Sequence, residues 1–519
     1  MRGKRSFLLW ASLPLLGCAG RVLARAGGGG DFHGDGGGGF GGGGGRGGGG
    51  NGGLIQLLFL FLRFCIYHPA IGLPILIAAV VVFIYLSNRP STSQWLAGLS
   101  ASTDAPGEPA GPNLSGSRAG AAIQQIRQHD SGFDENALCE RVRNAFMKIQ
   151  SAWCAQDVNA IRLFCSDGVA ERFALQFAEQ RQAGFHDQME SISVDDVRVA
   201  DLVCNGVFDE IAIRIAARAA DYRVAIASGQ RISGSTAVEP FVEMWSFLRR
   251  RGALSDSSKP GLMEGNCPNC GGAIAMTESA VCPHCKALLR TGTYDWVLSE
   301  ITQESEWSRH VGHPIYGLGR LRSTDGGFDA QAMEDRASVV FWRKVAADRI
   351  GKIDPLRKVA ADSFCQQYAA SLHAPADGTP RAFIGECAVG SVQMLGFVPA
   401  ESAGSHWAGM ELVLMEVHWS GKRYAAVAGA GVQPAGGEVL RSSVLVLGRR
   451  AGSQTDAAKS IISAHCPNCG APEPGDASNA CPFCNTVLND GAHGWVLLAI
   501  QGLADSQTQA MLQAARAAG

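Results

Sequence analysis

Between residues 133 and 250 the spacing of apolar positions changes once. Leu138, Val142, Ala145, Phe146, Ile149 and Trp153 recur at three- and four-residue steps, which predicts one face of an amphipathic helix. Val169, Phe173 and Phe177 predict a second helix after Asp167-Gly168. The period then becomes two. Val197 and Val199 alternate with polar residues, Asn205-Gly206 follows, and Ile211, Ile213 and Ile215 alternate again. Asn-Gly between alternating runs is a hairpin signal, because both turn residues tolerate positive φ. A third strand is expected over Val238 to Leu248, with Phe241, Trp245 and Phe247 on one face and therefore in the core. Helices followed by antiparallel strands predict an α+β unit, with helices packed on one curved sheet.

Upstream, the patterns are of another kind. A basic head, an apolar stretch from Phe7 to Leu16 and Ala24-Arg25-Ala26 read as a signal peptide over 1–26. Two rivals stand beside it: a lipoprotein signal ending at Cys18, and an uncleaved first anchor. Residues 27–53 are nearly all glycine and predict a flexible linker. Residues 54–87 form a membrane segment. Its uncharged run over 70–86, at about 1.5 Å per residue, nearly covers a hydrocarbon core about 30 Å thick. Residues 88–130, rich in Ser, Ala, Pro and Gly, read as a second linker.

Four cysteines close the first globular stretch: Cys267-Pro-Asn-Cys270 and Cys282-Pro-His-Cys285. Each C-P-x-C turn can form a knuckle with two inward thiolates, and two knuckles supply a closed tetrahedral site. Gly271 suits the left-handed backbone that such a turn needs. Cys466, Cys469, Cys481 and Cys484 repeat the pattern 199 positions later, with Gly470 in place of Gly271 and Trp495 matching Trp296 in W-V-L-x-x-I. Phe133-Asp134 likewise recurs as Phe328-Asp329, and Phe341, Trp342 and Val345 mark the second copy's helix. The second copy's strands include Met410 to Trp419 and Leu440 to Leu447. The soluble part is thus one module written twice. Two structural Zn2+ sites are expected; iron of the rubredoxin kind is the rival, although the loop between knuckles is short for it. His284 and His465 are expected on the knuckle surface. Cys139, Cys154, Cys165, Cys204, Cys365 and Cys387 are expected to pack as small apolar groups.

Composition adds limits. The net charge of −2 offers no basic excess, so no nucleic-acid partner is expected. Arg249–Arg251 and Arg449–Arg450 read as solvated strand ends, and Asp209 and Glu210 as solvated residues opening a strand. Zinc thiolates persist where thiols stay reduced, which predicts a cytoplasmic C-terminal region; a cleaved signal and the span at 70–86 give the same orientation in a single-pass protein, and an uncleaved anchor gives it with two spans. No nucleophile, base and orienter assemble from the motifs, so no enzyme is expected. His310 and His313 lack a carboxylate that would complete a metal set.

Glu239-Pro240-Phe241-Val242-Glu243-Met244-Trp245-Ser246-Phe247-Leu248-Arg249, with the upstream Phe146, Trp153 and Asp157, resembles the Tim-forty-four-like (Tim44-like) domain family of the mitochondrial inner-membrane translocase. Bacterial members look like this chain overall: signal, glycine tract, membrane helix, then the domain. The resemblance covers 131–253 and, more weakly, 300–455, where Ser443 to Arg450 replace the strand motif. It implies two cone domains similar to nuclear transport factor two, each with an apolar pocket. Zinc ribbons follow at 262–299 and 460–498, and a C-terminal helix at 499–519. It also implies a membrane-tethered adaptor at a bacterial inner membrane, with a translocase, chaperone or assembly factor as protein partner. Binding of membrane lipid or another hydrophobic ligand in the cone is the alternative.

Overall fold

In the computed structural model, residues 116–519 are described, apart from 205, 257–258, 275–280, 305, 308–312, 375–378, 428–430 and 474–475. The expected signal, glycine tract, membrane span and the linker up to residue 115 lie outside the described residues. Among the described residues no helix is long and apolar enough to cross a membrane.

The first cone runs α1 (Gly116–His129), α2 (Glu135–Ala155), α3 (Asn159–Arg162) and α4 (Asp167–Ala183). Its strands are β1 (Phe185–Val203), β2 (Phe208–Ala225), β3 (Arg231–Arg250) and β4 (Val297–Gln303). The second runs α5 (Leu318–Thr324), α6 (Ala330–Ile350), α7 (Asp362–Ser371), β5 (Arg381–Val398), β6 (Met410–Val427), β7 (Gly431–Arg450) and β8 (Val496–Gln501), before a final α8 (Ser506–Ala518). Each sheet is antiparallel, in the order β1-β2-β3-β4 and β5-β6-β7-β8.

Two expectations about boundaries change. The stretch 116–129, expected as linker, is a helix whose Ile123 and Ile126 are buried in the first core. Val297–Gln303 pairs with β3 and Val496–Gln501 with β7. Each ribbon is therefore inserted between the third and fourth strands of its own sheet, and a boundary at 299 or 498 cuts through a strand.

The expected hairpin is present, with Val203 opposite Glu210. Each sheet bends at a matching bulge in its first strand, where Ser191 (φ 52°) and Glu386 (φ 46°) take the left-handed conformation. Phe241, Trp245 and Phe247 are buried as expected. The apolar pocket implied by the family resemblance is filled here: Phe146 lies 5.6 Å from Trp245, and Trp153 packs on Phe173 and Phe177. In the second cone Trp419, from the second strand rather than the third, meets Phe341 at 5.5 Å. Both indoles are held from equivalent places on the third strand, Trp245 by Glu243 (2.9 Å) and Trp419 by Ser443 (3.0 Å).

The cones pack α4 of the first against α6 of the second. Leu175 of α4 joins the second core, while Ala332 of α6 joins the first. Close approach depends on Gly168, because a Cβ there would lie 2.5 Å from Asp335 Oδ1. Arg343 and Arg349 of α6 pair with Glu171 (2.9 Å) and Glu179 (2.8 Å) of α4. Beside this seam a gap of about 200 Å³ is lined by Glu210, Glu300 and Glu334. Burial, then Asp329 and Glu300, push Glu210 up to about 8; burial pushes Glu300 up to about 7 and Glu334 well above the ordinary range. An unfolded Glu releases its proton near pH 4.3. From there to about pH 8 these three carboxyls hold more protons in the folded chain than in the unfolded one, so their contribution to stability falls as pH rises across that window. The expected result is a lower urea midpoint at pH 8 than at pH 6, with Glu210→Gln flattening the slope. An unchanged slope in that variant would assign the pH dependence elsewhere.

Candidate metal centres and the clefts beside them

Each cysteine set converges. The four Sγ atoms of Cys267, Cys270, Cys282 and Cys285 lie within 4.8 Å of one another, as do those of Cys466, Cys469, Cys481 and Cys484. None of the eight is in a disulfide. Cys267–Cys285 and Cys270–Cys282 are 3.7 and 3.9 Å apart, and Cys466–Cys484 and Cys469–Cys481 are both 3.7 Å apart. A tetrahedron of thiolates about 2.3 Å from a central ion has S–S edges of about 3.8 Å. Both sets can therefore hold a four-coordinate metal ion without rearrangement.

The backbone supports that donor set. Gly271 and Gly470 sit at φ 75° and 74°, and their N–H groups donate to the carbonyls of Cys267 (2.7 Å) and Cys466 (2.8 Å). The second knuckles use the same turn with Lys286 (φ 65°) and Asn485 (φ 59°), which sequence reasoning missed. The backbone N–H of Ala287, with the Asn269 amide 3.4 Å away, lowers the Cys285 thiol to about 6. The Thr486 hydroxyl, 3.3 Å away, and its N–H do the same for Cys484. His284 is exposed and contacts the Ala273 carbonyl at 2.9 Å, as a knuckle-surface residue should. His465 is not on the surface. It is buried, with Nδ1 2.7 Å from Asp167 Oδ2. Cys139, Cys165, Cys204, Cys365 and Cys387 pack in the cores as expected, while Cys154 is half-buried. His313 is exposed; His310 lies outside the described residues.

A second repeated constellation joins each ribbon to its cone, and here the expectation of solvated arginines fails. Arg249 is buried. Its guanidinium lies 2.8 Å from Asp130, 2.7 Å from Ser255 and 4.5 Å from the Trp296 ring, with Asp209, also buried, at 3.8 Å. Arg449 repeats it with Asp325 (2.5 Å), Glu411 (2.9 Å) and Thr455 (3.2 Å), again 4.5 Å above a ring, that of Trp495. A strand-end arginine can be buried because two carboxylates and an aromatic face replace its water. Burial opposes the Asp130 and Asp325 charges, but hydrogen bonds from Ser255 and Thr455, with the arginines, outweigh it and hold both carboxyls below their ordinary value. The available sequence signal was the recurrence of Asp130, Arg249, Ser255, Asp256 and Lys259 as Asp325, Arg449, Thr455, Asp456 and Lys459.

Matching clefts open beside these arginines, about 650 Å³ in the first copy and about 260 Å³ in the second. Phe133, Arg141, Lys259 and Trp296 line one; Phe328, Arg336, Lys459 and Trp495 line the other. Arg141 is engaged by Glu264 and Asp295, at 2.9 and 2.7 Å.

The Tim44-like domain family matches residues 119–261, which contain 131–253, the stronger of the two stretches where the resemblance was expected; the weaker one, 300–455, lies outside the match. The first cone is therefore similar to the Tim44-like domain family over those residues. No curated protein sequence matches the chain. Among solved structures the chain is similar to an "Ntf2 like protein involved in plasmid conjugation", at 8% identity and a TM-score of 0.16, over 64% of this chain and 93% of that one. A likeness at that level adds nothing to the fold described above.

Removing the buried cation strands two carboxylates. Arg249→Met is expected to lower stability by about 3–5 kcal/mol, whereas Arg251→Met, exposed just beyond the strand, stays within about 0.5 kcal/mol. Equal midpoints in urea for the two variants would show that the buried pair holds nothing together.

Proposed function

We propose that the chain is a membrane-associated adaptor that presents two zinc ribbons on one rigid body to a protein partner in translocation or membrane-protein assembly. The observation that carries the reading is the buried polar seam between α4 and α6, on a chain whose first cone is similar to the Tim44-like domain family. A flexible pair of modules would gain only effective concentration from its tether. A rigid pair also fixes the spacing of its docking surfaces and loses less entropy on binding.

Zinc is the metal that suits the site best: an all-thiolate, closed, four-coordinate set with no position left for substrate. A reduced thiolate site favours a cytoplasmic location for the ribbons, on a single-pass protein of a bacterial inner membrane. The reading includes no catalytic step: Arg141 is engaged by Glu264 and Asp295, and Arg336 by the Trp495 and Ser463 carbonyls. Lipid or another hydrophobic ligand in the cones is disfavoured by the aromatic filling of their concave faces.

The second ribbon offers the plainest contact point. In Cys481-Pro-Phe-Cys484 the Phe483 ring is 67% exposed, and Val487 beside it 41% exposed. Exposed aromatics of this kind serve as interface anchors. Crosslinking in intact cells from a probe next to Phe483, with captured proteins identified by mass, tests the reading. A translocase, chaperone or assembly factor should be captured, and Phe483→Ser should reduce capture about tenfold, the effect of losing about 1.4 kcal/mol. The chain with Cys267, Cys270, Cys466 and Cys469 changed to Ser should also lose capture. Capture of lipid alone, unchanged in both variants, would reject the adaptor.

A further inference from the structure

The two ribbons are copies in sequence but differ in what they touch. In the first, Asn266 faces Ala273 across the arms of the first knuckle, and its amide donates to the Gly271 carbonyl (3.1 Å). Glu264, just upstream, pairs with Arg141 of the same cone, and Arg290, past the second knuckle, reaches the junction, 2.7 Å from Asp167 Oδ1 and 3.2 Å from His465 Nε2. In the second ribbon His465 faces Pro472 in the same way, but these arms reach across the junction. The Ala464 N–H and His465 Nδ1 both meet Asp167 Oδ2, at 2.8 and 2.7 Å, on the first turn of α4 in the first cone. Glu473 accepts from Arg343 (3.2 Å), whose guanidinium also holds Glu171 of α4. Ser463 donates to Asp335 Oδ2 (2.7 Å), while Asp335 Oδ1 accepts from the Gly168 N–H (2.9 Å). Ile461 is buried in the first cone's core. Positions 463, 465 and 473 thus hold Ser, His and Glu, where the first copy has Glu264, Asn266 and Ile274.

The arms that make these contacts are short. Beyond the knuckle they are joined by the His465–Pro472 bridge and by the Glu473 N–H donating to the Ala464 carbonyl (3.0 Å). An isolated hairpin of this size is marginal in water, and a structural metal site supplies the folding free energy such an element lacks. We infer that the second ribbon, and not the first, is a metal-dependent clamp. With an ion held by Cys466, Cys469, Cys481 and Cys484, the arms are fixed where they bind Asp167, Asp335 and Arg343, and the cones are locked together. Without it the arms loosen and the first turn of α4 loses the contacts they make, keeping Arg290 on Asp167 Oδ1 (2.7 Å), while each cone keeps its own core. Arg290 is placed by the stretch returning to the sheet, where the Arg250 N–H donates to the Gly292 carbonyl (2.8 Å), so loss of the ion from the first ribbon leaves the seam intact. The inference rests on reading the cysteine sets as metal sites and is independent of the adaptor.

The test is hydrogen exchange of the full chain, read by mass spectrometry, with bound metal counted on the same samples. Cys469→Ser with Cys484→Ser is compared with Cys270→Ser with Cys285→Ser; each pair should retain one ion of the two. The second-ribbon variant should speed exchange at Gly168, Val169 and Ala170 at least tenfold, with protection kept at Ile211, Ile213 and Ile215. The first-ribbon variant should leave 168–170 within twofold of the unaltered chain. Equal effects from both variants, or full protection of 168–170 without the second ion, would overturn the clamp. If the second-ribbon variant loses protection throughout both cones, Ser463→Ala with Glu473→Gln decides, since it cuts the contacts to Asp335 and Arg343, the former holding the Gly168 N–H, and keeps both ions. Selective loss at 168–170 then supports the clamp and unchanged protection overturns it. An unaltered chain that holds no ion would reject the metal reading itself.

Discussion

The constraint on which both halves of the structure depend is the buried arginine at the end of the third strand. Arg249 and Arg449 each tie four separate stretches of chain to one point: the turn before the first long helix, the start of the second strand, the loop leaving the third, and the tryptophan where the chain returns from the ribbon. A guanidinium can do this because its donors fan out in a plane while its face remains free to stack. An apolar side chain could fill the same volume but could not orient two carboxylates. The phenylalanine of the F-D turn closes the arrangement, its ring meeting the tryptophan edge-on at 6.4 Å in one copy and 6.2 Å in the other. The ribbon is thereby anchored at its exit, and the fourth strand starts in register.

Duplication alone would give two such units on a string. The interface that unites them is heterologous: α4 of the first cone meets α6 of the second, and α6 is the counterpart of α2, not of α4. The two copies have diverged to suit. Trp342 and Val339 on α6 are buried, where α2 has Met147, 40% exposed, and Asn144 at the equivalent places. Helix α7, the counterpart of α4, is ten residues long against seventeen. Head-to-tail contacts of this kind propagate when every unit carries both surfaces. Here each surface is developed in one copy only, so the same geometry yields a finished pair rather than an array.

What the sequence made legible follows from how local the determining chemistry is. A C-x-x-C turn carries its ligands and its glycine within five residues, so all eight metal-site cysteines and both αL glycines could be found without a fold. The third strand's aromatics were likewise readable from alternation. The buried arginines were not, because a cation at a strand end is ordinarily solvated, and only Asp130 and Asp209, 119 and 40 positions upstream, change that. Nor was the insertion of each ribbon into its sheet readable. W-V-L-x-x-I is legible as a repeat, but its pairing with β3 or β7 is set by the return path through the ribbon. His465 was misplaced for the same reason: its partner Asp167 lies 298 positions away.

Long-range placement also explains why the metal sites and the seam bear on each other. The seam is mainly polar at its α4 end, where Asp167, Asp335 and Arg343 are almost wholly buried. Such groups cost free energy unless every partner is in place, so a polar seam is less tolerant of partial assembly than an apolar one. Three of those partners, Ser463, His465 and Glu473, come from a ribbon too small to have an extensive core of its own. Its buried apolar cluster is little more than Cys466, Cys481 and Leu488. On the clamp inferred above, the order of the first turn of α4 is set at the sulfurs, while Arg349–Glu179 and Leu175 hold the seam further along the helix.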